Sequence, residues 1–394
     1  MARPPALMRA LMSGSALQRQ EQNRFLLLDV ARGVAAVLVV IHHCFRATPG
    51  YNSARFETLK ELDLTWTSFV LLGSFAVSLF FVLSGASFGL SLGTPERFET
   101  RAFYIKRFFR IYPAYLLSIL AYWTFRPIYG LIREPGLSDW LSPQFANEPG
   151  LLGWVTYLTM TFNLAGTPQC FNTVLWSLPI EVQFYLFFPL LVACLRPTNR
   201  WAGNALVIGL CGCAWLVGTA THTPGGTLQR LWEFGGGLLI GVNRQPIARL
   251  LASKFAASVV LIAACALFLI PRVGPISLGP MPANTFDVLC GFGIVASCAG
   301  PSRWQPSSGA GRILVATGAY SYSLYLFHSL FIGLVAPIGY SLASDWHPGA
   351  FFPILLAVVL PASWLLARQL FRVESAFIDL GRRLARPANR PTPR

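Results

Sequence analysis

Ten apolar runs of membrane-spanning length, joined by short polar connections, constrain this chain more than any other feature. A bilayer core takes about 20 apolar residues per helix, and runs of that kind lie near 25–45, 68–92, 107–126, 175–195, 203–220, 230–243, 255–271, 284–300, 313–335 and 350–371. Backbone polar groups in lipid have to be satisfied within each such segment, so the runs read as helices. The expected fold is all-α, a polytopic transmembrane bundle of about ten spans. Composition agrees: 54% of the 394 residues are hydrophobic and only 12% are charged, too few to cover a soluble domain. The apolar run at 151–165 is short and follows a loop containing Pro and Gly, so it reads as a re-entrant or interfacial segment.

Lysine and arginine placement orients the bundle, because cytoplasmic connections carry the basic excess. With the N-terminus inside, ten spans put 23 of the 31 basic residues on the cytoplasmic side and 7 outside. A full span at 151–165 would export most of the positive charge of the second half. Both termini are therefore expected in the cytoplasm. The tails at 1–24 and 384–394 are rich in Pro, Arg and small residues and read as disordered. The expected organisation is a tail at 1–23, a membrane domain at 24–376 and a basic tail at 377–394. The first apolar run carries Asp29 and Arg32 and ends in His42 and His43, which suits a retained span better than a cleaved leader.

The net charge of +15 is scattered among apolar segments and forms no continuous patch of the kind that follows phosphates, which argues against nucleic acid. Eight cysteines, with Cys211 and Cys213 as the only close pair, lack metal-ligand spacing and read as small buried hydrophobes. No metal is expected.

Charged side chains inside spans are costly, about 2.5 to 3.5 kcal/mol each at a helix centre on insertion scales, and mark function unless a structural partner explains them. In the first span Arg32 and His43 share a face, about 20° apart around the axis and about 16 Å along it. Asp29 stands one turn before Arg32, in range for an ion pair, and His42 points away from this stripe. Read as straight spans, the chain also brings Glu181, Glu233 and His328 to the outer half near His43. Ser84, Lys106, Arg107 and Arg110 fall on the inner half with Arg32. Arginine forks suit phosphate, and a neutral imidazole suits removal of a hydroxyl proton. An anionic cofactor held inside by arginines, with proton chemistry at His43 and Glu181 as its orienting or charge-stabilising partner, follows as the expected division of labour.

The same residues carry a family resemblance. Leu28-Asp29 with Arg32-Gly33 and the spacing to His43, Leu79-Phe-Phe-Val-Leu-Ser84-Gly85, and Tyr104-Ile-Lys-Arg107-Phe-Phe-Arg110-Ile-Tyr-Pro113 form three blocks. Trp176-Ser-Leu-Pro-Ile-Glu181 with Phe184-Tyr185, Arg230-Leu-Trp-Glu233-Phe with Gly237, and Gly318 with Ser321-Tyr322-Ser-Leu-Tyr-Leu-Phe-His328 form three more. Six ordered blocks over about residues 24–376 resemble the acyltransferase 3 family, the bacterial integral-membrane enzymes that acylate polysaccharides and lipooligosaccharides. The resemblance implies transfer of an acyl group, acetyl first and succinyl as rival, from acyl-CoA at the cytoplasmic face of the inner membrane to a carbohydrate hydroxyl such as that of an exopolysaccharide or O-antigen. It places His43, Glu181 and Arg32 in the catalytic set. Arg107, Arg110, Arg32 and Ser84 fall at the acyl-CoA, and Glu233, Arg230, His328 and Tyr322 at the acceptor. The other expected partners are membrane lipids.

The chain departs from the family pattern at Ser78, where relatives often carry an acid, and at Ser375, where a proline often follows the late glutamate Glu374. No segment resembles the SGNH-type hydrolase domain of some relatives, so any such partner is expected on a separate chain. Ser84-Gly85 reads as a helix-packing pair more readily than as a nucleophile. Asp287 reads as interfacial, and His222 and His347 read as surface residues. The alternative function is a transporter or flippase of a lipid-linked glycan or acyl group.

Overall fold

A computed structural model describes residues 26–49, 64–134, 137–138, 140–167, 170–197, 199–221, 226–273, 284–298, 308–342 and 348–386. His222, His347, the N-terminal tail and residues 387–394 lie outside these. The described residues form helices: α1 (Leu26–Arg46), α2 (Leu64–Ser91), α3 (Thr100–Ile132), α4 (Ser142–Ala146), α5 (Gly150–Leu158), α6 (Ser177–Cys194), α7 (Arg200–Ala220), α8 (Thr227–Val242), α9 (Arg244–Leu250), α10 (Lys254–Val273), α11 (Thr285–Cys298), α12 (Gly309–Leu342) and α13 (Pro348–Leu384).

Each of the ten expected runs overlaps a helix, without all of them reaching spanning length, and the run at 151–165 holds the short α5 followed by turns. Among the described residues, six segments are long and apolar enough to cross a membrane: Leu26–Arg46, Leu72–Ser91, Thr173–Cys194, Arg200–Ala220, Gly309–Leu342 and Ala350–Leu384. A seventh is reached if Arg244–Leu250 and Phe255–Leu269, bent by 104°, make one span. The chain is thus a multi-pass helical membrane protein. Helix α13 continues without a break through position 377 to Leu384, so the basic C-terminal segment begins inside a helix.

At the centre α1 packs against both α2 and α12, α8 lies along α2, and α3 and α13 close the other side against α12. Small residues allow backbones to approach in lipid, where there is no hydrophobic drive between helices. Gly33 faces the backbone of Leu314, Thr317 and Gly318, and a Cβ on Gly318 would enter the Asp29 carbonyl. The α2–α8 contact repeats the device: Gly85 meets the Phe234 carbonyl and Gly237 meets the Val82 carbonyl. The family glycines are therefore packing residues, as Gly85 was expected to be.

These contacts fix the relative directions of the three central helices. His42 packs on Gly73 at one end of α2, and Arg32 reaches Ser87 at the other, so α1 and α2 are antiparallel. Helix α12 runs alongside α1 in the same direction, from Gly318 beside Asp29 to His328 beside His43.

Candidate functional site

Arg32 anchors one end of α1. It pairs with Asp29 at 2.6 Å and donates to the Ser87 hydroxyl, whose own proton goes to the Leu83 carbonyl at 2.6 Å. The Asp29–Arg32 pair is thus the expected one, and the contact with Ser87 ties α1 to α2. Sequence reasoning passed over Ser87, although it stands one turn beyond Ser84 on the same helix.

A cavity of about 370 Å³ opens beside this pair. Its walls carry five cations, Arg32, Lys106, Arg107, Arg110 and Arg382, together with Ser84, Glu181, Tyr185 and Tyr322. Arg107 lies over the Phe88 ring at 4.4 Å, with Phe103 at 5.6 Å and Tyr185 at 6.0 Å. Its Nε is buried without a hydrogen-bond partner. A guanidinium held by aromatic faces and lacking a full set of acceptors suits an anionic ligand. Tyr322 turns its hydroxyl to the Ile111 carbonyl at 2.9 Å and presents the rest of its ring to the cavity.

Glu181 lies deeper in the bundle than straight spans suggest. Its Oε1 accepts from Tyr185 at 2.5 Å and from Ser84 at 3.3 Å, which sets it at the level of Ser84, toward Arg32. The cause is the segment before α6, which is drawn into the protein. Asn172 donates to the Leu326 carbonyl at 2.7 Å and accepts from Ser329 at 2.8 Å, and the Val174 carbonyl accepts from Tyr325 at 2.5 Å. Ser177 then starts α6 already at Tyr325, 2.7 Å away, and Glu181 falls one turn further in.

The histidines form the opposite end. His43 Nδ1 and His328 Nε2 are 2.8 Å apart, and His328 Nδ1 lies 3.1 Å from the Leu324 carbonyl. His328 is fully buried and His43 is 8% exposed. The residue bonded to His43 is thus His328, whereas the hydrogen bonds of Glu181 go to Ser84 and Tyr185. Trp140, from the connection between α3 and α4, lies parallel to the His43 ring with centroids 4.9 Å apart. Ser138 secures that connection by donating to the Arg46 carbonyl at 2.7 Å. The cavity approaches this end: Tyr325 lines it, and the Tyr325 and His328 ring centroids are 6.3 Å apart. On α2 the cavity reaches Val77, one turn from the Gly73 that packs on His42.

Glu233 and Arg230 belong to a separate cluster. They pair at 3.2 Å, and Asn284 bridges the fully buried Glu233 to Ser78, with both contacts at 2.9 Å. Ser78, where relatives often carry an acid, therefore faces a buried carboxylate. Asp287, read from sequence as interfacial, is buried beside Glu233. Arg230 also lies 5.8 Å from the Phe81 ring and 5.3 Å from that of Trp176. The structure thus gathers Arg32, Ser84, Arg107, Arg110, Glu181 and Tyr322 around one cavity and His43 with His328 beyond it, and leaves Glu233 outside. None of the eight cysteines is in a disulfide, and four of them are buried. Among the described residues no three His, Cys, Asp or Glu side chains gather as a metal site.

Comparison with known proteins decides the family. Residues 25–368 match the acyltransferase 3 model, described as an acyltransferase domain. The chain belongs to this family. It is 34% identical over 171 residues to Acyltransferase MdmB of Streptomyces mycarofaciens, covering 41% of each chain. It is 23% identical to Nodulation protein 10 of Rhizobium leguminosarum bv. viciae, covering 78% of this chain and 84% of that one. With the putative peptidoglycan O-acetyltransferase YrhL of Bacillus subtilis it shares 27% identity, over 82% of this chain but only 47% of the relative. The chain thus spans less than half the length of the first and third of these relatives. No solved structure matches it.

Proposed function

We propose that this acyltransferase is an O-acyltransferase that takes an acyl group from acyl-CoA at the cytoplasmic face and delivers it to a carbohydrate hydroxyl. The observation that carries this reading is a single helix, α1, bearing Arg32 at a five-cation cavity and His43 about 16 Å further along. That separation matches an extended pantetheine arm. Arg107 with its unpartnered Nε, Arg110, Lys106 and Arg32 would hold the phosphates, with the nucleotide at the mouth and the thioester directed toward His43.

In this reading the acceptor hydroxyl gives its proton to His43 as its oxygen attacks the thioester carbonyl. The new C–O bond forms, the C–S bond breaks, and the leaving thiolate takes the proton back from the imidazolium. Tyr322 and Ser84 line the donor path. Relatives named as O-acetyltransferases make acetyl the first donor to test. The basic excess of the connections supports a reading in which the Arg32 end and both termini lie in the cytoplasm of a bacterial inner membrane crossed ten times.

The test uses detergent-purified protein with labelled acetyl-CoA and soluble peptidoglycan fragments or oligosaccharides. Transfer of label to the glycan, abolished by His43→Ala in a protein that still purifies as a single species, is the expected result. Transfer that survives His43→Ala removes the base from this residue. Absence of transfer to every glycan offered, alongside transport in vesicles, supports a carrier instead.

A further inference from the structure

The geometry points to His328 as the positioning residue that fixes the protonation pattern of His43, so that His43 meets its substrate with a free lone pair on Nε2. This rests on the reading of His43 as the base. The sequence reading put His328 at the acceptor, but the residue is fully buried and both of its ring nitrogens face protein partners.

A backbone carbonyl can only accept, so the 3.1 Å contact between His328 Nδ1 and the Leu324 oxygen requires the proton on Nδ1. A neutral His328 then has only a lone pair at Nε2. Its partner at 2.8 Å, His43 Nδ1, has to donate. A neutral His43 carrying its proton on Nδ1 leaves Nε2 unprotonated, the form that accepts a proton from a hydroxyl. The chain Leu324 carbonyl, His328, His43 does with a second imidazole what the carboxylate does in a Ser-His-Asp triad, where it selects the tautomer of the base.

The placement of both rings is over-determined. Their planes differ by 15°, with centroids 5.1 Å apart, as expected of two rings joined edge to edge by one short N–H···N bond. Trp140 covers a face of His43 at an interplanar angle of 9°, which restrains rotation about its side-chain torsions. His328 sits on α12, which the Gly33–Gly318 contact clamps to α1 two to three turns earlier. When His43 takes up a proton at Nε2, the proton on its Nδ1 can shift along the bond to His328 Nε2, and it returns when the leaving thiolate is protonated. No proton is gained or lost over the cycle.

The test reads the tautomer directly. The chain has five histidines, and 15N spectra of histidine-labelled full-length protein in detergent, assigned by His43→Gln and His328→Gln, separate protonated from unprotonated ring nitrogens. In the native protein His43 is expected as the Nδ1–H form, and in His328→Phe it is expected to change to the Nε2–H form. A native His43 protonated on Nε2 overturns the inference whether or not the protein transfers acyl groups. Kinetics supply the second measurement. With acetyl-CoA and soluble peptidoglycan fragments, His328→Phe should lower kcat by between about tenfold and about 10⁴-fold, the latter being what a wrong tautomer costs a serine protease. KM for acetyl-CoA should stay within about twofold. His328→Gln keeps an acceptor and should recover part of kcat. A raised KM with unchanged kcat returns His328 to substrate binding. If His43→Ala is active, the reading of the base fails, and the spectra still decide the tautomer.

Discussion

The Ser84 hydroxyl donates its proton to the Glu181 carboxylate at 3.3 Å, so the serine of the family's Ser-Gly pair is engaged by another side chain at the wall of the cavity. Among the described residues it has no histidine hydrogen-bond partner, and the next residue, Gly85, is fixed against the Phe234 carbonyl. Ser84→Ala is therefore expected to keep kcat within about tenfold of the native value, the scale of one hydrogen bond to a charged group. Mass spectrometry of protein quenched during turnover checks the same point. An acyl group trapped on Ser84 would make it a nucleophile and overturn this reading.

Arg110 and Glu374 make a second relationship with a measurable consequence. Glu374 is buried on α13, where its carboxylate makes no close hydrogen bond, and Arg110 and Ser323 are the polar groups that favour its charged form. Arg110 stabilises the Glu374 carboxylate through space, without an ion-pair contact, so its removal costs less than the roughly 3–5 kcal/mol of breaking a buried pair. Arg110 is only half-buried, so Arg110→Ala should lower stability by up to about 1 kcal/mol. Arg110→Ala with Glu374→Gln should recover most of it. Thermal unfolding in detergent measures both. If Arg110 also holds acyl-CoA phosphates, the double variant recovers stability while its KM for acyl-CoA stays high. Recovery of both would make Arg110 purely structural.

The glycine contacts predict opposite outcomes for one substitution at two helix positions. A Cβ on Gly318 would collide with the Asp29 carbonyl, and backbone cannot move aside as a side-chain tip can, whereas Gly209 on α7 has open space around it. Gly318→Ala should destabilise the protein by about 1–3 kcal/mol. Gly209→Ala should be neutral or stabilising by about 0.5–1 kcal/mol, because alanine is the better helix former. Comparison of the two thermal midpoints decides, and equal midpoints would refute the close α1–α12 contact.

The helices were legible because each buries a run long enough to register as apolar, and the pairing of Arg32 with Asp29 was legible because helical spacing alone brings them together. Their full lengths were not. Helices α3, α12 and α13 run to 33, 34 and 37 residues, well beyond the roughly 20 a bilayer requires, and hydropathy sees only the part inside lipid. The level of Glu181 was misplaced because straight-span reasoning has no term for a connection drawn into the bundle, as Asn172 and Val174 draw the segment before α6. Trp140 went unread for a similar reason. It lies in a connection with no period, and only the fold stacks it on His43. His328 was placed at the depth of His43, yet a count along helices cannot show that two rings share a hydrogen bond.

Cysteine labelling measures the orientation directly. With ten crossings and the N-terminus inside, the connection after α7 faces outward and the one before α12 faces the cytoplasm. An additional crossing at 151–165 would exchange them. Thr221 and Ser308 are both exposed at those places. In a cysteine-free background, Thr221→Cys should react with a membrane-impermeant maleimide in intact spheroplasts, and Ser308→Cys only after the membrane is opened. The reverse pattern would turn the second half of the bundle over and place Arg107, on α3, on the opposite side of the membrane from the segments that follow. The cavity wall from Arg107 to Glu181 joins α3 to α6, so it is the contact at stake. The α5 helix, nine residues or about 14 Å long, is too short to cross a hydrocarbon core of about 30 Å. That length is why the outward label on position 221 is the expected result.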